Sequence, residues 1–128
     1  MKRSTRLALV FLATAAAASA APPTCTIHPK KGATKEELAA MAKVTQADAQ
    51  KTALGTLKDP SKATVKSAEL EAEYGCLLFS FDIAVAGKTG VREIQIDAGN
   101  GKVLSNKHES PKAEAAEKAR DKATAPKD

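Results

Sequence analysis

From Ser67 to Val85 the chain alternates, and the alternation sharpens as it proceeds. Leu77, Phe79, Phe81, Ile83 and Val85 share one parity, with Leu78, Ser80, Asp82 and Ala84 on the other. Five large apolar residues at every second position predict a half-buried strand. Just before it, Ala68, Leu70, Ala72 and Tyr74 alternate with Ser67, Glu69, Glu71 and Glu73, a strand with one wet face, and Tyr74-Gly75 is the turn between the two. Ala86 to Gly90 reads as a hairpin loop, after which Val91 to Asp97 returns with Ile94 and Ile96 inward. Asp97-Ala98-Gly99-Asn100-Gly101 is a tight turn whose glycines permit positive φ, and Lys102 to Ser105 supplies a short final strand.

Upstream the period is helical. Thr34 has the form of an N-cap, with Glu36 and Glu37 in the first turn where the helix dipole favours negative charge. Leu38, Met41 and Ala42 then recur at helical spacing, predicting a short helix over Lys35 to Lys43. Thr45-Gln46-Ala47-Asp48 repeats the start signal as a capping box with Asp in the usual Glu position. Ala49, Ala53, Leu54 and Leu57 form one apolar stripe whose alanines let a helix lie close to a sheet, and Asp59-Pro60 is the stop. Helices followed by hairpin-connected strands predict an α+β domain. One or two N-terminal helices should cover one face of a small antiparallel β-sheet of three to four strands. The other face should be polar and open to solvent.

The first twenty residues change the picture of the whole. Lys2, Arg3 and Arg6 precede an apolar run from Leu7 to Leu12, alanines continue it to Ala18, and Ala18-Ser19-Ala20 offers the small residues a signal peptidase reads. Residues 1–20 are therefore expected to be a signal peptide, too short in its apolar part for a membrane span. A lipid-anchored product would put a cysteine directly at the cut, whereas Cys25 follows Pro22-Pro23-Thr24. The expected product is periplasmic or secreted, with no stable membrane insertion after cleavage. It is organised as a polar lead-in over 21–33, a domain over 34–110, and a charged Ala/Lys/Glu-rich tail over 111–128. That tail has no large apolar residue, so a frayed helix or a disordered segment is expected.

Charge adds little. The chain carries a formal +5, and removing the three basic residues of the leader leaves +2 on the mature 108 residues. With only Tyr74, Phe79 and Phe81 as aromatics after the leader, neither a basic face nor stacking platforms point to nucleic acid. Two cysteines in an oxidising compartment predict a disulfide between Cys25 and Cys76. On the chain-entropy account, closing a loop of that length contributes roughly 4 kcal/mol.

Val44 to about Glu109 resembles the PepSY family. The residues that carry the likeness are Val44-Thr45-Gln46-Ala47-Asp48-Ala49, Phe79-Ser80-Phe81-Asp82-Ile83, and above all Ile94-Gln95-Ile96-Asp97-Ala98-Gly99-Asn100-Gly101-Lys102-Val103-Leu104. The resemblance covers about half the chain. It implies a helix packed on a small antiparallel sheet, association with the cell envelope, and a proposed role in peptidase inhibition; it carries over no catalytic residue. Because no peptidase domain follows Asp128, inhibition in trans is the form expected.

Several residue sets resemble sites. Asp97, Gly99 and Gly101 suggest a cation loop, but calcium loops use three or more carboxylates, and Asp97 reads better as the residue that fixes its own turn. Cys25-Thr26-Ile27-His28 has the spacing of a metal half-site, yet a closed zinc site would need Cys76 and His108 as well, and nothing in the spacing joins them. No G-x-S-x-G is present, and both histidines lie in polar flanks, so neither a catalytic residue, a metal nor a cofactor is expected. The expected function is a non-catalytic binding module for a protein or peptide partner, acting as a trans-acting peptidase inhibitor or as a modulator of envelope proteins. The alternative is a small-ligand or metal-responsive envelope protein that uses Cys25, His28 and His108.

Overall fold

A computed structural model of the chain describes residues 24–124. The expected signal peptide, the first residues of the lead-in and the last four of the tail lie outside the described residues.

Helix α1 spans Lys35–Met41 and opens with a complete capping box. The Glu37 N–H donates to Thr34 Oγ1 at 3.2 Å, and the Thr34 N–H donates to the Glu37 carboxylate at 2.8 Å. The sequence pattern singled out Glu37 only as a favourable charge. The helix stops short of Lys43 because the Lys43 and Val44 N–H groups both donate to the Ala98 carbonyl, at 2.9 and 3.0 Å, which draws the chain down onto the sheet. Helix α2 spans Gln46–Gly55, N-capped by Thr45, whose Oγ1 accepts from the Asp48 N–H at 3.1 Å. The Asp48 carboxylate, one methylene shorter than Glu, meets the Thr45 hydroxyl at 2.9 Å. Asp59 does not end this helix; it caps a separate 3-10 turn over Pro60–Lys62.

Four antiparallel strands follow, β1 (Ala63–Glu73), β2 (Cys76–Val85), β3 (Val91–Asp97) and β4 (Val103–Glu109), in the spatial order β1-β2-β3-β4. The protein is α+β, with α1 and α2 on the N-terminal side of the chain and packed against the sheet. β1 begins earlier than its alternation suggests, because the register shifts between Val65 and Ser67. Val65 pairs with Ile83 and Ala68 with Phe81, so residues of opposite parity share one face across a bulge. Tyr74 is not part of the strand: it holds a positive φ of 50° in the turn and is exposed.

The core lies between the helices and one face of the sheet. Leu77, Phe81, Ile83, Ile94 and Ile96 are fully buried there against Ala49 and Ala53, which are equally buried. Fully burying each large apolar side chain contributes about 1.5–3 kcal/mol. At Ala49 and Ala53 any larger side chain would push α2 off the sheet.

The opposite face corrects the expectation of an open polar surface. Glu93, Gln95 and Asp97 on β3 are buried, at 9, 4 and 0% exposure. At one end Leu78 packs with Cys25, Cys76 and Leu104 in a second small cluster. At the other the tail forms helix α3, Pro111–Thr124, which adjoins β4 and whose Glu114 and Glu117 line, with residues of all four strands, a cavity of about 250 Å³ over this face. Alternation alone could not show this, because what covers the face comes from segments outside the sheet.

Candidate functional site

The lead-in is a strap fixed to the sheet at three consecutive residues. Cys25 is disulfide-bonded to Cys76. Thr26 donates both its N–H, at 2.8 Å, and its hydroxyl, at 2.6 Å, to the Asp97 carboxylate. The Ile27 carbonyl accepts from the Leu77 N–H at 2.9 Å, and its side chain enters the core.

Asp97 is the centre of this arrangement. Besides Thr26 it accepts from the Gly99 N–H at 2.7 Å and the Asn100 N–H at 3.2 Å, so one buried carboxylate closes its own turn and anchors a segment 71 residues away. Burial pushes its pKa up, but the Thr26 hydroxyl and the Gly99, Thr26 and Asn100 N–H groups outweigh burial and hold it below the ordinary Asp value. Gly101 has the positive φ, 71°. Gly99 is needed for another reason: a Cβ there would overlap the Thr26 hydroxyl. The sequence pointed to the turn; the partner Thr26 carried no local signal.

Beyond Ile27 the strap forms the outer wall of a groove of about 1240 Å³. Pro29 to Ala33 and α1 make one side, and the edge strand β1, from Glu69 to Ala72, makes the other. Its apolar lining comes from Leu38, Ala42, Val44, Leu70 and Phe79, and Lys31 and Lys35 stand exposed at the rim. β1 is an outer strand of the sheet, and edge strands present backbone N–H and C=O groups along their open side.

The expected polar handles are not gathered in one place. The His28 Nδ1–H donates to the Gly75 carbonyl at 3.0 Å, at the start of β2. His108 Nε2–H donates to the Thr89 carbonyl at 2.8 Å, beyond the end of β2. Ten residues of strand, roughly 33 Å, separate these two ends. The half-site's Cys25 sulfur is bonded to that of Cys76, although Cys25, His28 and Cys76 lie close together.

A cluster that sequence reading passed over lies under α3. Carboxylate oxygens of Glu93, Glu109 and Glu117 all come within 4.8 Å of one another. Burial pushes the Glu93 carboxyl up to about 8, helped by its hydrogen bond to Glu109 and by the charges of Glu109, Glu117 and Glu73. These residues are far apart in sequence and come from three elements.

Comparison with family models, with curated proteins and with solved structures finds no match to this chain.

Proposed function

We propose that this chain is a non-catalytic, exported binding module of the PepSY type, which takes an extended peptide segment of a protein partner as an added strand along β1. The observation that carries this reading is the juxtaposition of an outer strand with a long groove beside it. Strand addition draws affinity from backbone hydrogen bonds and specificity from alternate side chains. One set of alternate side chains of the added strand would enter the groove over Leu38, Ala42 and Leu70; the other would stand beside Glu69 on the opposite face. The fitting segment therefore alternates apolar residues with Lys or Arg, since opposite charges across a strand pair are favourable. The bulge at Lys66 bends the first part of β1, which limits the added strand to the stretch from Ser67 to Glu73. A buried disulfide fits an oxidising compartment, and the proposed place of action is the periplasm or the outside of the cell. Inhibition of a peptidase in trans, or modulation of another envelope protein, is the role proposed for such docking.

The test is titration of the oxidised chain with a short peptide of alternating Val and Lys, followed by amide NMR. Shifts and exchange protection concentrated between Ser67 and Ala72 are expected. Perturbation elsewhere, or none at millimolar peptide, would sink the reading.

A further inference from the structure

A second concavity, of about 800 Å³, opens at the far end of the sheet from the strap. Its lining joins the loop after α2, the 3-10 turn, the β2–β3 loop and the start of β3. Among the described residues the charged groups on it are strongly one-sided: Lys58, Lys62, Lys88 and Arg92 are basic, and Asp59 alone is acidic. Asp59 is already engaged within its own turn, where it accepts from the Ser61 N–H at 3.2 Å and the Ser61 hydroxyl at 2.5 Å and lies 3.6 Å from Lys62. The half-buried side chains of Leu57 and Val85 line the same concavity. Arg92 is held in place by its Nε–H, which donates to Asn106 Oδ1 at 3.0 Å; this leaves the terminal nitrogens of the guanidinium to fork around an anion. The His108 bond to the Thr89 carbonyl holds the hairpin loop that carries Lys88.

We propose that this concavity binds a small organic anion with an apolar chain, its carboxylate or phosphate head between Arg92 and Lys88 and its first carbons over Leu57 and Val85. The charge excess selects the head, and the apolar floor distinguishes such a ligand from inorganic phosphate. The site is independent of the peptide groove, which lies at the other end of the sheet.

The test uses the full oxidised chain and decyl phosphate kept below its micelle concentration. Amide shifts should converge on Lys58, Lys88 and Arg92. Lys88→Glu, at an exposed loop position, should weaken binding about tenfold without lowering the melting temperature. Lys102→Glu, in the turn at the opposite end, should leave it unchanged. Inorganic phosphate and decanol, each lacking one half of the ligand, should bind more weakly than decyl phosphate. Equal binding of inorganic phosphate overturns the proposal, as does an unchanged affinity in Lys88→Glu. Flotation with vesicles containing an anionic lipid separates the sources. Capture by vesicles without binding of the monomeric amphiphile would mean a membrane-surface contact instead of a pocket, and would also overturn it.

Discussion

Replacing Asp97 with Asn tests the strap with almost no change in shape. The carboxylate is fully buried and accepts four hydrogen bonds. One oxygen takes the Thr26 hydroxyl, the Gly99 N–H and the Asn100 N–H, and the other takes the Thr26 N–H. In Asp97→Asn the amide oxygen will keep the side where three donors converge, so the NH2 group is turned toward the Thr26 N–H. Two donors then face each other at a part-buried contact, which costs about 1–3 kcal/mol, and the three remaining bonds lose the strength that charge gave them. The expected loss is about 3 kcal/mol, or roughly 12–24 °C in melting temperature for a domain of this size. Urea and thermal unfolding of the oxidised chain measure it, together with Thr26→Val and the double variant. Because both changes act on the bond from the Thr26 hydroxyl to the carboxylate, their effects should fall short of additivity by about 1 kcal/mol. A pH series adds a sign. The folded pKa is held below the ordinary Asp value, so this carboxylate stabilises above the unfolded-state value and its contribution disappears as pH falls through the folded one. Asp97→Asn should lack that component of acid unfolding. A loss under about 1 kcal/mol, or strict additivity with Thr26→Val, would refute the account of Asp97 as the anchor of the strap.

Three further outcomes follow from the same geometry. Removing the disulfide with Cys25→Ala and Cys76→Ala should cost roughly 4 kcal/mol in denaturant unfolding, since it closes a loop of 51 residues. Gly99→Ala should cost about 1–3 kcal/mol by calorimetry, because the Thr26 hydroxyl it would meet is held by Asp97 and cannot swing away. Glu93 carries the opposite pH sign to Asp97. Its folded pKa is raised from 4.5 to about 8, so its contribution is full below about 4.5 and is lost as pH rises to about 8. Glu93→Gln should flatten the decline of melting temperature across that window, and an unchanged profile would contradict the burial of a protonated carboxyl under α3.

Where local chemistry decides the structure, the sequence was readable. The alternation of β2 placed Leu77, Phe79, Phe81 and Ile83 inward, and Thr34 and Thr45 marked the starts of α1 and α2, because strand period and N-cap bonds depend on residues a few positions apart. The bulge at Lys66 hid the first residues of β1, since it reverses the parity that a reader follows. The end of α1 was set by the Ala98 carbonyl, more than 50 residues away, so no signal near Met41 could announce it. The Thr26–Asp97 contact and the Glu93 cluster were invisible for the same reason: both are made by tertiary placement of ordinary polar residues. The edge position of β1 depends on strand order, which alternation does not specify.

The two edges of this sheet are not equivalent, and their difference is what the proposed docking of a partner strand on β1 rests on. β4 is short, has Lys107, His108 and Glu109 at its end, and runs directly into α3 through Ser110. Charged residues and an adjoining helix are the usual means of keeping an edge from pairing. β1 has eleven residues and is bulged only near its start, and past the bulge it borders the groove. The wall across that groove is the strap, whose position depends on the disulfide, on Thr26 and on Ile27. An outer strand beside a movable wall would be a site for indiscriminate pairing. Beside a wall held by a covalent bond and a buried carboxylate, the proposed added strand would be restricted to side chains that fit. The residues that hold the strap to the sheet are thus also those that would set the selectivity of the proposed docking. Variants that loosen the strap should therefore relax peptide preference before they abolish folding.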